Sequence, residues 1–355
     1  MPDDNILLST WKKVTGWIDQ NATKYTYVSI PKMQTDKNYD EALLKPYASY
    51  FRLILSEMFL TKSVKWGIQR FPAVHSEVQL QFANQQAVVF SHLVQPPQDQ
   101  LSRGVWLNHT LTDLVPYSGG IVDLEAALFA LQGNDYAATA AKVLQEFSGL
   151  IAAPLGQVLD LASKLTISTR DLLNAAQGNV HLGFHQTFTA STIRPGYHAV
   201  ILAPAGKIKD GQLSVKRDQL YWVTEGRTQP KAFEDYDYML FFLEGAAARD
   251  DILLKNIAEP LQEALSALYL GQEKAAEGYK MVALATAARS PDLTPPDRRR
   301  VVQSIKDIYA QAQSGGLGAV ADRTEDLKEL VRAKAMPLQR ALSLGELTPE
   351  EVFAE

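Results

Sequence analysis

The sequence contains no cysteine. That excludes disulfides, thiolate nucleophiles, zinc ribbons and cysteine-ligated clusters together. Positive charge is not in excess either: 35 Lys and Arg against 40 Asp and Glu give a formal net charge of −5. Nothing in that balance favours holding nucleic acid by counterion release, or attraction to an anionic membrane. No apolar run approaches the roughly 20 residues that a membrane-spanning helix requires. Met1 to Asn5 carries two aspartates and no basic residue, and Lys12 and Lys13 interrupt the apolar residues that follow. This start does not read as a signal peptide, so a cytoplasmic chain is the expectation. P-loop, Rossmann G-x-G-x-x-G, H-E-x-x-H and EF-hand patterns are also missing. No cofactor and no metal site is expected.

What is present is ordinary globular composition, with 46% hydrophobic and 21% charged residues, which argues against long disorder. A chain of 355 residues has room for two domains. Residues 4–20 read as an amphipathic helix, with Leu7, Trp11, Val14 and Ile18 at helical spacing. Residues 25–30 are rich in β-formers and end at Pro31. Pro46 reads as an early helical position, followed by a wide apolar stripe from Tyr47 to Phe59 that predicts a helix buried on most sides.

Period two then takes over. Val74, Ser76, Val78, Leu80 and Phe82 alternate with His75, Glu77, Gln79 and Gln81, the pattern of a half-buried strand. A turn at 83–86 and a returning strand predict a hairpin. Residues 122–176 read as three or four short helices, with Ser168 and Asp171 as a capping box. Strands are expected at 180–188, 197–203, 213–223 and 236–243, with a hairpin turn at Lys209–Gln212.

The character shifts beyond Gly245. Residues 246–355 hold 31 charged residues in 110, against 44 in the preceding 245, and all five tryptophans lie earlier. Helices are expected at 250–270, 273–289, 295–313 and 321–343, with Pro337 kinking or ending the last. Thr294 with Pro295 reads as an N-cap followed by proline at the first helical position, and Thr348 with Pro349 repeats it. Residues 124–144 and 261–284 share a helix–glycine–helix pattern like that of tetratricopeptide hairpins. A solenoid needs at least about three stacked copies, so ordinary αα-hairpins explain the likeness. The expected fold is α+β: a 1–245 body built from hairpins, mostly antiparallel, with a helical insertion at about 122–176, and an all-helical 246–355 bundle packed on it.

Few residues invite chemistry. His181 and His185 would share one face of a strand, but roughly 13 Å apart, too far to hold one ion together. His198 falls on the expected partner strand, where a cross-strand pair with either is conceivable. Half-buried histidines bonded within a sheet are the plainer reading. Asp235 and Asp237 have D-x-D spacing, which is common by chance, and a charged loop entering a strand explains it. Ser118-Gly119-Gly120 could expose backbone N–H groups to an anion at a helix start, or be a loop with unusual φ angles. Arg298, Arg299 and Arg300, with Asp297 and Asp307 nearby, read as a solvated face.

Two functional classes follow. One is a non-enzymatic interaction protein: an adaptor, regulator or assembly component, with a bacterial stress or defence system as one setting. Its partner, another protein or a second copy, would dock on the alanine-rich helices of 250–355. The other is a hydrolase or transferase whose site is assembled from His181, His185, His198 and Asp235 or Asp237. At least two histidines and a carboxylate converging on one cleft would favour the enzyme.

Overall fold

The computed structural model describes residues 25–61, 64–65, 68–81, 88–94, 105–132, 180–204, 206–209, 211–223, 230–249, 252–315 and 324–353. Fourteen strands run in chain order among them: β1 (Thr26–Ile30), β2 (Ser49–Phe59), β3 (Val64–Lys65), β4 (Ile68–Gln81), β5 (Val88–Val94), β6 (Val105–Thr110), β7 (Val115–Tyr117), β8 (Ile121–Gln132), β9 (Val180–Phe188), β10 (Gly196–Ile201), β11 (Leu213–Lys216), β12 (Gln219–Trp222), β13 (Lys231–Ala232) and β14 (Tyr238–Ala246). Six α-helices follow: α1 (Lys255–Tyr269), α2 (Glu273–Arg289), α3 (Pro295–Gln313), α4 (Thr324–Lys334), α5 (Leu338–Ser343) and α6 (Pro349–Phe353). The fold is α+β with antiparallel sheets and a C-terminal helical region. Two compact units divide it. The first is Met1–Leu44, Phe51–Asp113 and Gly119–Gly245; the second is Lys45–Tyr50, Leu114–Ser118 and Ala246–Glu355.

In the first unit, the strand order β1-β10-β14-β2-β6 forms the main part of one sheet. A second sheet runs β3-β4-β8-β9, with β5 also on β4, and a small third sheet runs β11-β12-β13. The main sheet is covered on both faces. On one side Tyr197, Ala199, Tyr238, Leu240 and Phe242 pack with Leu213, Val215, Leu220 and Phe233 of the small-sheet region. On the other side Phe241 meets Phe184 of β9, ring centroids 5.4 Å apart, and His198 meets Phe188 at 5.5 Å. Covering both faces removes the need for polar alternation, and β14 reads as a continuous apolar run for that reason.

The same cause overturns two helix expectations. Residues 49–59 form β2, not a helix. The expected burial is present, but a strand buried on both faces shows no period two and cannot be told from a buried helix by periodicity. The helical insertion at 122–176 fails at its start, since Ile121–Gln132 is β8, paired along its length with β4. Its alanines sit at buried positions where two strands flank it: Ala126, Ala127 and Ala130 are all fully buried. The rest of that insertion, the 4–20 helix, the 83–86 turn and the Ser168–Asp171 box lie outside the described residues. The β4–β5 hairpin pairs Val74↔Val94 through Leu80↔Val88.

The stretch 213–223 is two strands, not one. Arg217 and Asp218 turn between β11 and β12 with φ of 50° and 62°, a two-residue hairpin turn made without glycine. Lys209–Gln212 does turn, with the Gln212 N–H donating to the Lys209 carbonyl at 3.2 Å. It joins no hairpin, because β10 pairs with β1 and β14 rather than β11. Gly119 and Gly120 take φ of 81° and 89° ahead of strand β8, so no helix start exists there to hold an anion.

In the second unit, Ile257, Leu261 and Leu265 of α1 share a core with Leu284 of α2, Val301, Ile305 and Ile308 of α3 and Leu327 of α4. Gly271 closes α1 with φ of 72°. Its N–H reaches the Leu268 carbonyl and the Gln272 N–H reaches that of Ala267, which is a Schellman closure. The expected 321–343 helix divides into α4 and α5, with Pro337 at the N-cap of α5. The arginine cluster is not a solvated face. Arg299 is 7% exposed and binds Glu351 and the carbonyls of Leu344, Gly345 and Glu346. Arg298 donates to the Ser290 carbonyl and Arg300 to Asp297.

Candidate functional site

β9 pairs with β8 from Val122↔Phe188 to Leu128↔Leu182, and then the register shifts so that Phe129 faces Val180. His181 falls in that irregularity. A bulge leaves its residue unpaired and re-aims the side chain. The His181 ring turns to Asp237, with Nδ1 2.9 Å from Oδ2. Asp237 lies just ahead of β14 and is 6% exposed. Its other oxygen, Oδ1, accepts from both the backbone N–H and the hydroxyl of Thr61, each at 2.7 Å.

Burial works against charge on Asp237, yet bonds from His181 and Thr61 hold its carboxyl below the usual range. An ionised carboxylate only accepts, so His181 donates to it through Nδ1. That is the arrangement by which a carboxylate fixes a histidine tautomer. The imidazole is partly open to solvent, with 24% of the side chain exposed.

The other histidines go elsewhere. His185 is exposed, its Nε2 3.3 Å from Asp123 Oδ1, and Thr187 donates to the same oxygen at 2.6 Å. His198 is buried on β10, whose neighbours are β1 and β14. The conceived cross-strand pair with His181 or His185 is therefore not formed, because β9 belongs to a different sheet. His198 Nδ1 bonds the Tyr27 hydroxyl at 2.7 Å, and the two rings stack at 5.8 Å. Burial alone pushes the His198 imidazole down to about 4, so it stays neutral near pH 7. Its Nε2 has no hydrogen-bond partner among the described residues.

Asp235 accepts from the Trp222 indole at 2.6 Å and lies 3.6 Å from Lys231, fastening an exposed turn. The two aspartates of the D-x-D spacing thus serve different neighbours. Of the five expected residues, only His181 and Asp237 come together. Thr61 was not foreseen, since nothing marks a threonine after a strand as an acceptor's anchor. Among the described residues no group of three His, Asp or Glu could hold a metal ion.

A second titratable group was hidden by the helix expectation for 47–59. Glu57 is 5% exposed on β2, where the pairing with β6 shifts between Leu55 and Glu57. Its signal in the sequence is a lone carboxylate between Ser56 and Met58 in an apolar stretch.

Comparison of the sequence with models of known protein families and with curated proteins yields no match.

Proposed function

We propose that this chain is a non-enzymatic, intracellular interaction protein that docks a protein partner on its helical residues 250–355. The observation that carries the reading is the outward face of α2. That helix buries only Ala276, Ala283, Leu284 and Ala287. Tyr279 is 43% and Val282 51% exposed, three residues apart on one face, and Met281 is 37% exposed beside them. Ala275 and Gly278 add no charge to this face, and both are exposed. At the C-terminal end of α1, Tyr269 and Leu270 are also exposed, at 83% and 66%. A helix that offers tyrosine and valine to water at this spacing suits helix-to-partner docking. Convergence of two histidines with a carboxylate, which an enzyme reading asked for, is not met by His181, His185 and His198.

The test is affinity capture from the native cell followed by mass spectrometry, with the wild-type chain beside a Tyr279→Lys, Val282→Glu double variant. The expected result is a partner lost in the variant, with an unchanged melting temperature. A variant that keeps every partner sinks the reading.

One observation supports a second reading, a hydrolase or transferase: the ordered His181–Asp237 pair, on an imidazole side chain that is 24% exposed. His181 would act as general base and Asp237 as its orienting group. Incubation with a panel of esters and phosphomonoesters should then give turnover that His181→Ala abolishes and Asp237→Asn reduces. Turnover unaffected by His181→Ala would remove this reading.

A further inference from the structure

The stretch from Tyr50 to Leu60 is apolar apart from Arg52, Ser56 and Glu57. Arg52 reaches Glu244, each side chain 34% exposed. Glu57 instead points inward. Its Oε2 accepts the Leu220 N–H at 2.9 Å, and its carboxyl is hydrogen-bonded to the Tyr238 hydroxyl. Leu220 belongs to β12 of the small sheet, and Tyr238 to β14 of the main sheet. One carboxyl on β2 therefore ties two sheets of the first unit. Around this tie Leu213, Val215, Leu220 and Phe233 pack on Phe59, Tyr238 and Phe242.

No lysine, arginine or histidine is paired with Glu57 among the described residues. The ionisable groups that bear on this cluster are Tyr238 itself and, beyond it, Glu234 and Tyr221. None supplies positive charge. Each of the two bonds can serve either protonation state, since a phenol both donates and accepts and the Leu220 N–H needs only one oxygen. Burial penalises the charged state alone. It outweighs both bonds, and the Glu57 carboxyl is pushed up from 4.5 to about 7.

We propose that Glu57 is a proton-operated latch between the three-stranded sheet and the main sheet, held closed by its neutral carboxyl and loosened by ionisation. The sign follows from linkage. The closed state binds the proton more tightly than an opened state in which Glu57 reaches water. The stabilisation is complete below about 4.5 and is lost as pH rises through about 7. The device does not depend on which function reading holds, because it lies in the first unit and uses none of α2, His181 or Asp237.

Amide hydrogen exchange on the full chain tests it. The amides of Leu220 and Phe233 report the latch, since the first donates to Glu57 and the second to the Leu220 carbonyl. After correction for intrinsic exchange, their opening constant should rise about 70-fold between pH 5 and pH 8, the linkage ratio for a carboxyl moved between those two values. Glu57→Gln should hold the opening constant at its low-pH level throughout. A wild-type change under about threefold, or the same pH response in Glu57→Gln, overturns the latch. If that variant does not fold, the wild-type Glu57 carboxyl carbon, followed by NMR, decides. A midpoint near 7 supports the proposal, and one near 4.5 overturns it.

Discussion

At the scale of single residues, Asp297 constrains the second unit through three hydrogen bonds. It is fully buried in the first turn of α3. Oδ2 accepts from the Tyr50 hydroxyl at 2.7 Å and the Arg249 N–H at 3.2 Å, while Oδ1 takes the Arg300 guanidinium at 2.6 Å. Tyr50 in turn accepts from the N–H and hydroxyl of Thr294. Thr294 does occupy the N-cap, but its hydroxyl goes to Tyr50 rather than to the helix's own amides. Asp297→Ala would leave buried donors without an acceptor. A loss of roughly 3–5 kcal/mol is expected, as for breaking one side of a buried ion pair, read as a lowered urea midpoint. Tyr50→Phe should lose roughly 1–2 kcal/mol, because it removes hydrogen bonds while leaving Arg300 paired. The sequence reads Asp297 only as a neighbour of Arg298–Arg300 on a solvated face, which its full burial overturns. It gives no sign that residue 50 would reach residue 297.

At the scale of elements, what the chain spells out depends on how many faces an element covers. α2 and α3 are legible to the residue, 273–289 and 295–313, because Gly271 and the Thr294–Pro295 pair punctuate them chemically. β4 is legible because polar residues alternate along it. β2 is not, for lack of such alternation, and in β8 the alternation of Val122, Leu124 and Ala126 with Asp123 and Glu125 gives way to the continuous buried run 126–130. Close packing of the main-sheet strands also sets a limit at Gly245. A Cβ there would meet Pro195 Cγ at 2.5 Å and Leu44 Cδ2 at 2.8 Å. Proline carbons cannot swing aside, so Gly245→Ala should cost about 1–3 kcal/mol by overpacking. Thermal melting should register it as a lowered midpoint. The sequence reads Gly245 only as a boundary marker; its steric role comes from Pro195 and Leu44, 50 and 201 positions away.

At the scale of the whole molecule, the two compact units each draw on distant stretches of chain. The second includes 45–50 and 114–118 beside the helices, and its core takes Val301, Ile305 and Ile308 of α3 and Val352 of α6. Deleting 291–355 therefore removes core as well as surface, which is why point changes on the exposed side of α2 are the cleaner test of docking. Among the described residues no helix is long and apolar enough to cross a membrane. The sequence by itself determined the α+β class, the β4–β5 hairpin, the positions of β9, β10 and β14 and the major helices, since periodicity, capping and turn residues act within a few neighbours. Only the tertiary structure decided that 49–59 and 121–132 are strands, for burial on both sides erases the local signal along 49–59 and 126–130. It alone separated His198 from His181, by assigning their strands to different sheets, and brought Asp237 and Thr61 to His181 across a bulge. It also set Glu57 against Leu220 and Tyr238, 163 and 181 residues further along the chain. Which strands become neighbours is a property of the assembled sheets, and no window of sequence contains it.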